Sequence, residues 1–187
     1  MKARALFSRS EMLTMNINTL KERGVTVEDI ANVAYQQQLK WNDQISMKEC
    51  TDSVEKILSL RDTFHILQLG VEIDRLAEEN IIREPIREIL QSDLGMFGVD
   101  ELFGLEIAGL FGTIGKTNFG DIDVNKPGIV KQLNADGKDG AVKCHTFLDD
   151  IVGAIAAAAS TRVAQISNET EARKDPNYKE IQLDFDL

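Results

Sequence analysis

Residues 151–159 constrain the fold more than any other part of the chain, because the run Ile-Val-Gly-Ala-Ile-Ala-Ala-Ala-Ala contains no polar side chain. The run lies between Asp150 and Ser160, and it is too short for a membrane span, which needs about 18 apolar residues. A helix that is apolar on every side is stable only where neighbouring helices cover all of its faces. We therefore predict a helix over about 147–164 at the centre of a helical bundle.

The rest of the sequence is also predicted to be helical. Through residues 1–90, apolar side chains recur at spacings of three and four, and no segment alternates between apolar and polar residues as strands do. This pattern predicts an all-α, single-domain bundle over residues 1–167, followed by a polar tail over 168–187. The predicted helix boundaries are a stop at Arg23-Gly24, capping boxes pairing Thr26 with Asp29 and Ser46 with Glu49, a cap at Asp62 and a first turn at Pro85.

Composition and charge exclude several classes of function. The formal net charge is −10, from 21 Lys and Arg against 31 Asp and Glu, which argues against a nucleic-acid partner and against electrostatic adhesion to anionic lipid. The two cysteines, Cys50 and Cys144, are too few for a disulfide framework and indicate a reducing compartment. The N-terminal residues lack the continuous apolar segment of a signal peptide. We therefore expect a cytoplasmic protein.

The pattern changes after residue 94, where ten of the thirteen glycines fall between positions 95 and 140. Two unusually apolar helices, predicted over about 99–111 and 147–164, each begin with a pair of acids. A loop predicted over 112–128 follows the first helix and carries a further acid and a lysine. The candidate residues are Asp100 and Glu101 in the first helix, Asp123 and Lys126 in the loop, and Asp149 and Asp150 in the second helix.

These acids have two interpretations. In the first, Thr146 caps the second helix, Asp149 completes a capping box, and Asp150, Asp100 and Glu101 interact with the dipoles of their helices. In the second, the carboxylates bind a hard cation, above all Mg²⁺, and Lys126 adds a positive charge for a phosphate. His65 and His145 are too far apart in the sequence to form a zinc motif. Because burying unpaired carboxylates is costly, the second interpretation accounts better for the whole set.

Three blocks, in order along the chain, resemble the phosphatidylglycerophosphatase A family. They are Asp-Glu-Leu-Phe-Gly at 100–104, Asp-Val-Asn-Lys-Pro at 123–127 and Leu-Asp-Asp-Ile-Val-Gly-Ala at 148–154. These blocks are similar to the family's Asp-Glu helix, its Asp-x-x-Lys-Pro loop and its Asp-Asp-Ile-Val helix. From Arg23 onward, the N-terminal part is similar to the soluble branch of the family, whose members are compact and all-helical.

The resemblance implies a Mg²⁺-dependent phosphatase that converts phosphatidylglycerophosphate to phosphatidylglycerol. It also implies attack by a metal-activated water on phosphorus, with Mg²⁺ and Lys126 stabilising the charge on the phosphoryl group. The implied metal or water ligands are Asp100, Glu101, Asp123, Asp149 and Asp150. The implied catalytic residues are Asp100, Glu101, Asp150 and Lys126.

A lipid substrate would require transient contact with the inner membrane face, and we expect an exposed apolar patch near Phe97, Phe111 or Phe119 to make it. Two alternatives stay open. The same metal site could act on a soluble phosphate or nucleotide, or the chain could be a non-catalytic helical module whose acids only start helices. The sequence does not decide whether the protein forms a homo-oligomer.

Overall fold

The computed structural model describes residues 7–95, 97–136 and 143–176, which form nine helices and no strand. The predicted all-α class is therefore confirmed. In chain order the helices are α1 (Arg9–Glu22), α2 (Val27–Leu39), α3 (Met47–Leu58), α4 (Arg61–Glu78), α5 (Ile86–Gln91), α6 (Val99–Gly109), α7 (Gly112–Asn125), α8 (Ile129–Asp136) and α9 (Leu148–Ala172). Among the described residues, no helix combines the length and apolarity needed to cross a bilayer.

The two capping boxes predicted from the sequence both form. At α2 the Thr26 hydroxyl accepts from the Asp29 N–H at 3.1 Å, and the Asp29 carboxylate accepts from the Thr26 N–H at 2.9 Å. The capping box predicted at the start of α3 forms in the same way. The predicted cap at Asp62 is wrong, because α4 has Leu60 at its cap position and Asp62 lies in the first turn. Only two residues separate α3 from α4, so this tight connection determines where α4 begins.

Helix α9 is surrounded by other helices. Every residue from Leu148 to Thr161 is buried, and α9 packs against α2, α3, α4, α6, α7 and α8. The helix continues beyond the predicted end at 164 to Ala172, because its polar last turns extend into solvent while their backbone hydrogen bonds stay within the helix. Positions 168–172 of the predicted tail are thus helical, and 177–187 lie outside the described residues. The domain boundary at 167 stays a prediction.

The predicted loop over 112–128 is wrong, because most of it is the helix α7. Its glycines suggested a loop, but Gly115, together with Gly104 of α6, allows α6 and α7 to approach closely. A Cβ atom at Gly115 would lie 2.1 Å from the Ala108 carbonyl oxygen, and one at Gly104 would lie 2.4 Å from the Phe119 ring. These contacts pair the end of α6 with the start of α7, so the two helices run antiparallel. The start of α6 therefore lies beside the end of α7.

The role of Gly115 in this packing is tested by two matched substitutions within α7. In Gly115→Ala the new methyl group meets a backbone oxygen that cannot move away without shifting α6, so we expect a loss of about 2 kcal/mol in the free energy of unfolding. At Gly120 a Cβ atom would meet nothing within 4 Å, so Gly120→Ala should gain about 0.5–1 kcal/mol through helix propensity. Urea denaturation measures both values. Equal effects of the two variants would contradict the packing role.

Candidate functional site

The six residues singled out in the sequence line a single cleft of about 180 Å³. The cleft lies where the start of α6, the end of α7 and the start of α9 meet, and α8 contributes one wall. Because α6 and α7 are antiparallel and both pack against α9, acids far apart in the sequence reach the same place. The predicted residues brought together here are Asp100, Glu101, Asp123, Lys126, Asp149 and Asp150.

Three carboxylates form a compact group within the cleft. Asp100, Glu101 and Asp150 each place one oxygen so that all three oxygens lie within 4.8 Å of one another. Asp100 and Asp150 are buried, and the Glu101 Oε2 atom is buried without a hydrogen-bond partner among the described residues. The first turns of α6 and α9 therefore bring three carboxylate side chains together in the cleft.

Lys126 connects the other two acids to this group. Its Nζ atom donates to Asp123 Oδ1 at 2.6 Å and to Asp149 Oδ2 at 3.1 Å, and it lies 3.5 Å from Asp150 Oδ1. Lys126 follows the last residue of α7 with a left-handed backbone (φ 42°), where the helix ends before Pro127. Asp123 and Asp149 thus hold the lysine at the edge of the three-carboxylate group.

The electrostatics of the cleft favour additional positive charge. Burial raises the pKa of Asp150, and the neighbouring charge of Asp149 raises it further, although Lys126 acts in the opposite direction. Burial and the adjacent Glu101 likewise raise the pKa of Asp100. Burial alone would lower the pKa of Lys126, but the charge of Asp149 and the hydrogen bond to Asp123 outweigh it and raise the pKa. One ammonium group therefore does not balance this set of acids.

The donor set fits Mg²⁺. All the donors in the three-carboxylate group are carboxylate oxygens, which suit a small hard cation, and no His or Cys is among the described residues that line the cleft. The unpartnered Glu101 Oε2 and the raised carboxyl pKa values mark a point where a divalent cation would relieve repulsion.

The start of α9 is held by a residue on another helix. The capping box expected from Thr146 and Asp149 is absent, because the Thr146 hydroxyl donates instead to the Leu90 carbonyl oxygen at 2.6 Å. The fully buried Asp74 of α4 takes the capping role, accepting from the Phe147 N–H at 3.1 Å and the Leu148 N–H at 3.0 Å. Burial raises the pKa of Asp74 to about 8, while these two N–H groups act against the rise.

Sequence reasoning missed three residues of this region. Asp93 and Asn134 also line the cleft, the first just after α5 and the second in α8. Asp74 lies in α4 and caps the start of α9, the helix that carries Asp149 and Asp150. None of the three belongs to a recognisable spacing or motif, so only the tertiary arrangement reveals them.

The three phenylalanines near which an apolar patch is expected are not themselves exposed. Phe119 is 3% exposed and packs inside the α6–α7 contact. Phe97 and Phe111 are partly buried and pack against the hydrophobic core. Aromatic rings are large enough to fill the space between helices, so the core takes them up.

Fold and cleft together define an all-helical protein with an acidic cleft, in which Lys126 is the one lysine among the described lining residues. Residues 17–165 match the sequence profile of phosphatidylglycerophosphatase A. The chain therefore belongs to the phosphatidylglycerophosphatase A family, which confirms the resemblance of the three sequence blocks. Membership in this family indicates a phosphatase-like function.

Several proteins are similar to this chain in sequence and in fold. The chain is 45% identical to the uncharacterized protein YutG of Bacillus subtilis over 152 residues, covering 81% of this chain and 90% of that protein. The crystal structure of YpjQ from Bacillus subtilis has a TM-score of 0.81 at 36% identity, covering 88% of this chain and 99% of that one. The low temperature requirement C protein from Listeria monocytogenes has a TM-score of 0.81 at 39% identity, covering 86% and 99%.

The capping role of Asp74 is tested by Asp74→Ala. Removal of both acceptor oxygens leaves two buried N–H groups without partners, so we expect a loss of about 2–4 kcal/mol in the free energy of unfolding, measured by urea denaturation. The matched control is Asp62→Ala, which changes an exposed acid in the first turn of the same helix and should stay within about 0.5 kcal/mol. A loss no greater than that of the control would contradict the capping role.

Proposed function

We propose that this protein is a Mg²⁺-dependent phosphatase that hydrolyses the phosphate monoester of phosphatidylglycerophosphate. The observation that carries the proposal is the convergence of Asp100, Glu101 and Asp150 beside Lys126 in one cleft. Family membership supports the phosphatase class, and the all-oxygen donor set supports the choice of cation.

Each part of the cleft has a chemical task in this proposal. Asp100, Glu101 and Asp150 would hold Mg²⁺, which supplies Lewis-acid polarisation of a phosphate oxygen and lowers the pKa of a bound water. Asp123 and Asp149 hold the Lys126 ammonium close to the same point. They fix its position and keep it charged.

The reaction explains why a fixed cation belongs there. Hydrolysis forms a bond between a water oxygen and phosphorus and breaks the bond from phosphorus to the lipid alcohol oxygen. Charge spreads over the phosphoryl oxygens in the transition state. A preorganised ammonium group at that place stabilises the charge without having to reorganise. Lys126 is suited to this role because only a quarter of its side chain is exposed and its carboxylate partners restrict its position.

The cation site is tested by thermal unfolding with and without Mg²⁺. At a Mg²⁺ concentration about 100 times Kd, binding adds about 2.7 kcal/mol, which raises Tm by about 5–10 °C for a chain of this size. Asp100→Asn and Asp150→Asn should lose most of this rise. The matched control is Asp121→Asn, which alters an α7 acid that is paired with Lys40 outside the cleft and should keep it. A full rise in both cleft variants would refute the cation site.

The activity is tested by phosphate release from phosphatidylglycerophosphate in detergent micelles, with glycerol phosphate as a soluble comparison. We expect release with Mg²⁺, loss with EDTA and loss in Asp150→Asn. Release that is insensitive to EDTA, or full activity of Asp150→Asn, would contradict the proposal. Release from soluble phosphates but not from lipid would transfer the activity to the soluble alternative.

The role of Lys126 is tested by Lys126→Met. Loss of the fixed charge should lower kcat about 100-fold, while the Mg²⁺-dependent rise in Tm persists, because the three-carboxylate group remains intact. Lys40→Met is the matched control, since Lys40 pairs with Asp121 away from the cleft, and its kcat should not change. A Lys126→Met variant that keeps the parent kcat would show that the lysine is only structural.

A further inference from the structure

Exposed aliphatic side chains stand next to the acids of the cleft on three separate segments. We call these four residues the rim: Leu94 after Asp93, Val99 before Asp100, Leu102 after Glu101, and Val124 after Asp123. The exposed fraction is 54% for Leu94, 58% for Leu102 and 80% for Val124. Single exposed aliphatic residues are ordinary on protein surfaces. Here they recur on the segments that build one cleft.

The rim and the cleft occupy the same end of the molecule. Leu94 itself lines the cleft. Val99 and Leu102 lie in the first turn of α6, and Val124 lies in the last turn of α7, which the antiparallel contact places beside the start of α6. The rim residues are therefore exposed at the end of the molecule that holds the cleft, and Leu94 borders the cleft directly.

We propose that the rim docks on the surface of a lipid bilayer and so presents the phosphate monoester of a lipid headgroup to the cleft. This inference rests on the proposed function, and it adds the surface through which a lipid substrate is reached. Its residues are aliphatic, and Leu94 and Val99 lie close in the sequence to Phe97, near which an exposed apolar patch is expected.

The size of the cleft limits how much of a lipid substrate can enter it. At about 180 Å³ the cleft is smaller than the pockets of about 300–1,000 Å³ that enclose whole organic ligands. A phosphate fits such a space, but acyl chains do not. A lipid substrate would keep its chains in the membrane while its phosphate enters the cleft, and the rim is the part of the protein that would then meet the membrane.

Charge does not supply the attraction to a membrane. The net charge of −10 and the acidic cleft provide no general attraction to anionic headgroups. Docking has to come from apolar contact instead, as for interfacial proteins that bury aliphatic side chains at the boundary between headgroups and acyl chains. A few aliphatic side chains give weak and reversible binding, which suits an enzyme that must leave the membrane after each encounter.

The test compares two double variants with matched chemistry. The rim variant is Leu102→Gln with Val124→Gln. The control is Leu110→Gln with Ile114→Gln, which alters side chains that are 41% and 65% exposed at the opposite end of the α6–α7 pair. Leu110 lies about 12 Å from Leu102 along the helix. Thermal unfolding verifies that both variants are folded.

Two readouts separate docking from catalysis. The first is cosedimentation with vesicles of phosphatidylcholine that contain phosphatidylglycerophosphate, in the presence of Mg²⁺. The second is phosphate release from these vesicles and from glycerol phosphate in solution. We expect the rim variant to bind vesicles about tenfold more weakly, equivalent to about 1.4 kcal/mol. Its KM for vesicle lipid should rise accordingly, and its kcat for glycerol phosphate should not change. The control should match the parent protein.

Each other outcome overturns a specific statement. Unchanged vesicle binding by the rim variant refutes the docking surface, and so does an equal loss in the control. A parent dimer that the rim variant dissociates, with vesicle binding unchanged, would assign the rim to a second copy of the chain and refute membrane docking. If no substrate is hydrolysed, the proposed function fails, and the cosedimentation still decides the docking surface by itself.

Discussion

The hydrogen bonds from the first residues of α9 to Asp74 are the interaction on which the rest of the structure depends. A helix that is apolar on all sides has to be buried, and burial of its first turn leaves backbone N–H groups without water. Asp74 accepts two of them from the neighbouring helix α4. Arg23 holds the preceding segment by donating to the Cys144 carbonyl oxygen at 2.6 Å. Because Asp74 accepts these backbone hydrogen bonds, the side chains of Asp149 and Asp150 are left to face the cleft.

The second constraint is the cost of gathering acids in a partly buried space. Asp100, Glu101 and Asp150 repel one another at the distances observed, and burial raises the pKa of Asp100 and Asp150. Lys126 offsets part of this cost through its bonds to Asp123 and Asp149. A protein that retains such an arrangement gives up stability at this point. Binding of a divalent cation and a phosphate, as proposed, would recover it.

The antiparallel packing of α6 on α7 positions both the acidic cleft proposed to bind the phosphate and the aliphatic rim proposed to contact the lipid. The absence of a side chain at Gly104 and Gly115 lets the two helices approach, so that the end of α7 lies beside the start of α6. This contact brings Asp123 and Lys126 to the acids of α6, and it brings Val124 of the rim to the same end of the molecule. One packing feature thus accounts for the acidic cleft and for the apolar surface beside it.

The sequence by itself determined the helical class, the central apolar segment, the capping boxes at Thr26 and Ser46, and six of the cleft residues. Each of these follows from side chains close together in the chain, or from three short motifs whose order is visible without coordinates. The tertiary structure alone decided that 112–125 is a helix, that Asp74 rather than Thr146 caps α9, that Asp93 and Asn134 line the cleft, and that Phe119 is buried. The physical reason is common to all four. A glycine in a sequence suggests a loop, but it can also lie in a helix at a point where a neighbouring helix leaves no room for a side chain. The role of an acid or an aromatic ring depends on the groups it contacts, and only folding brings those groups together.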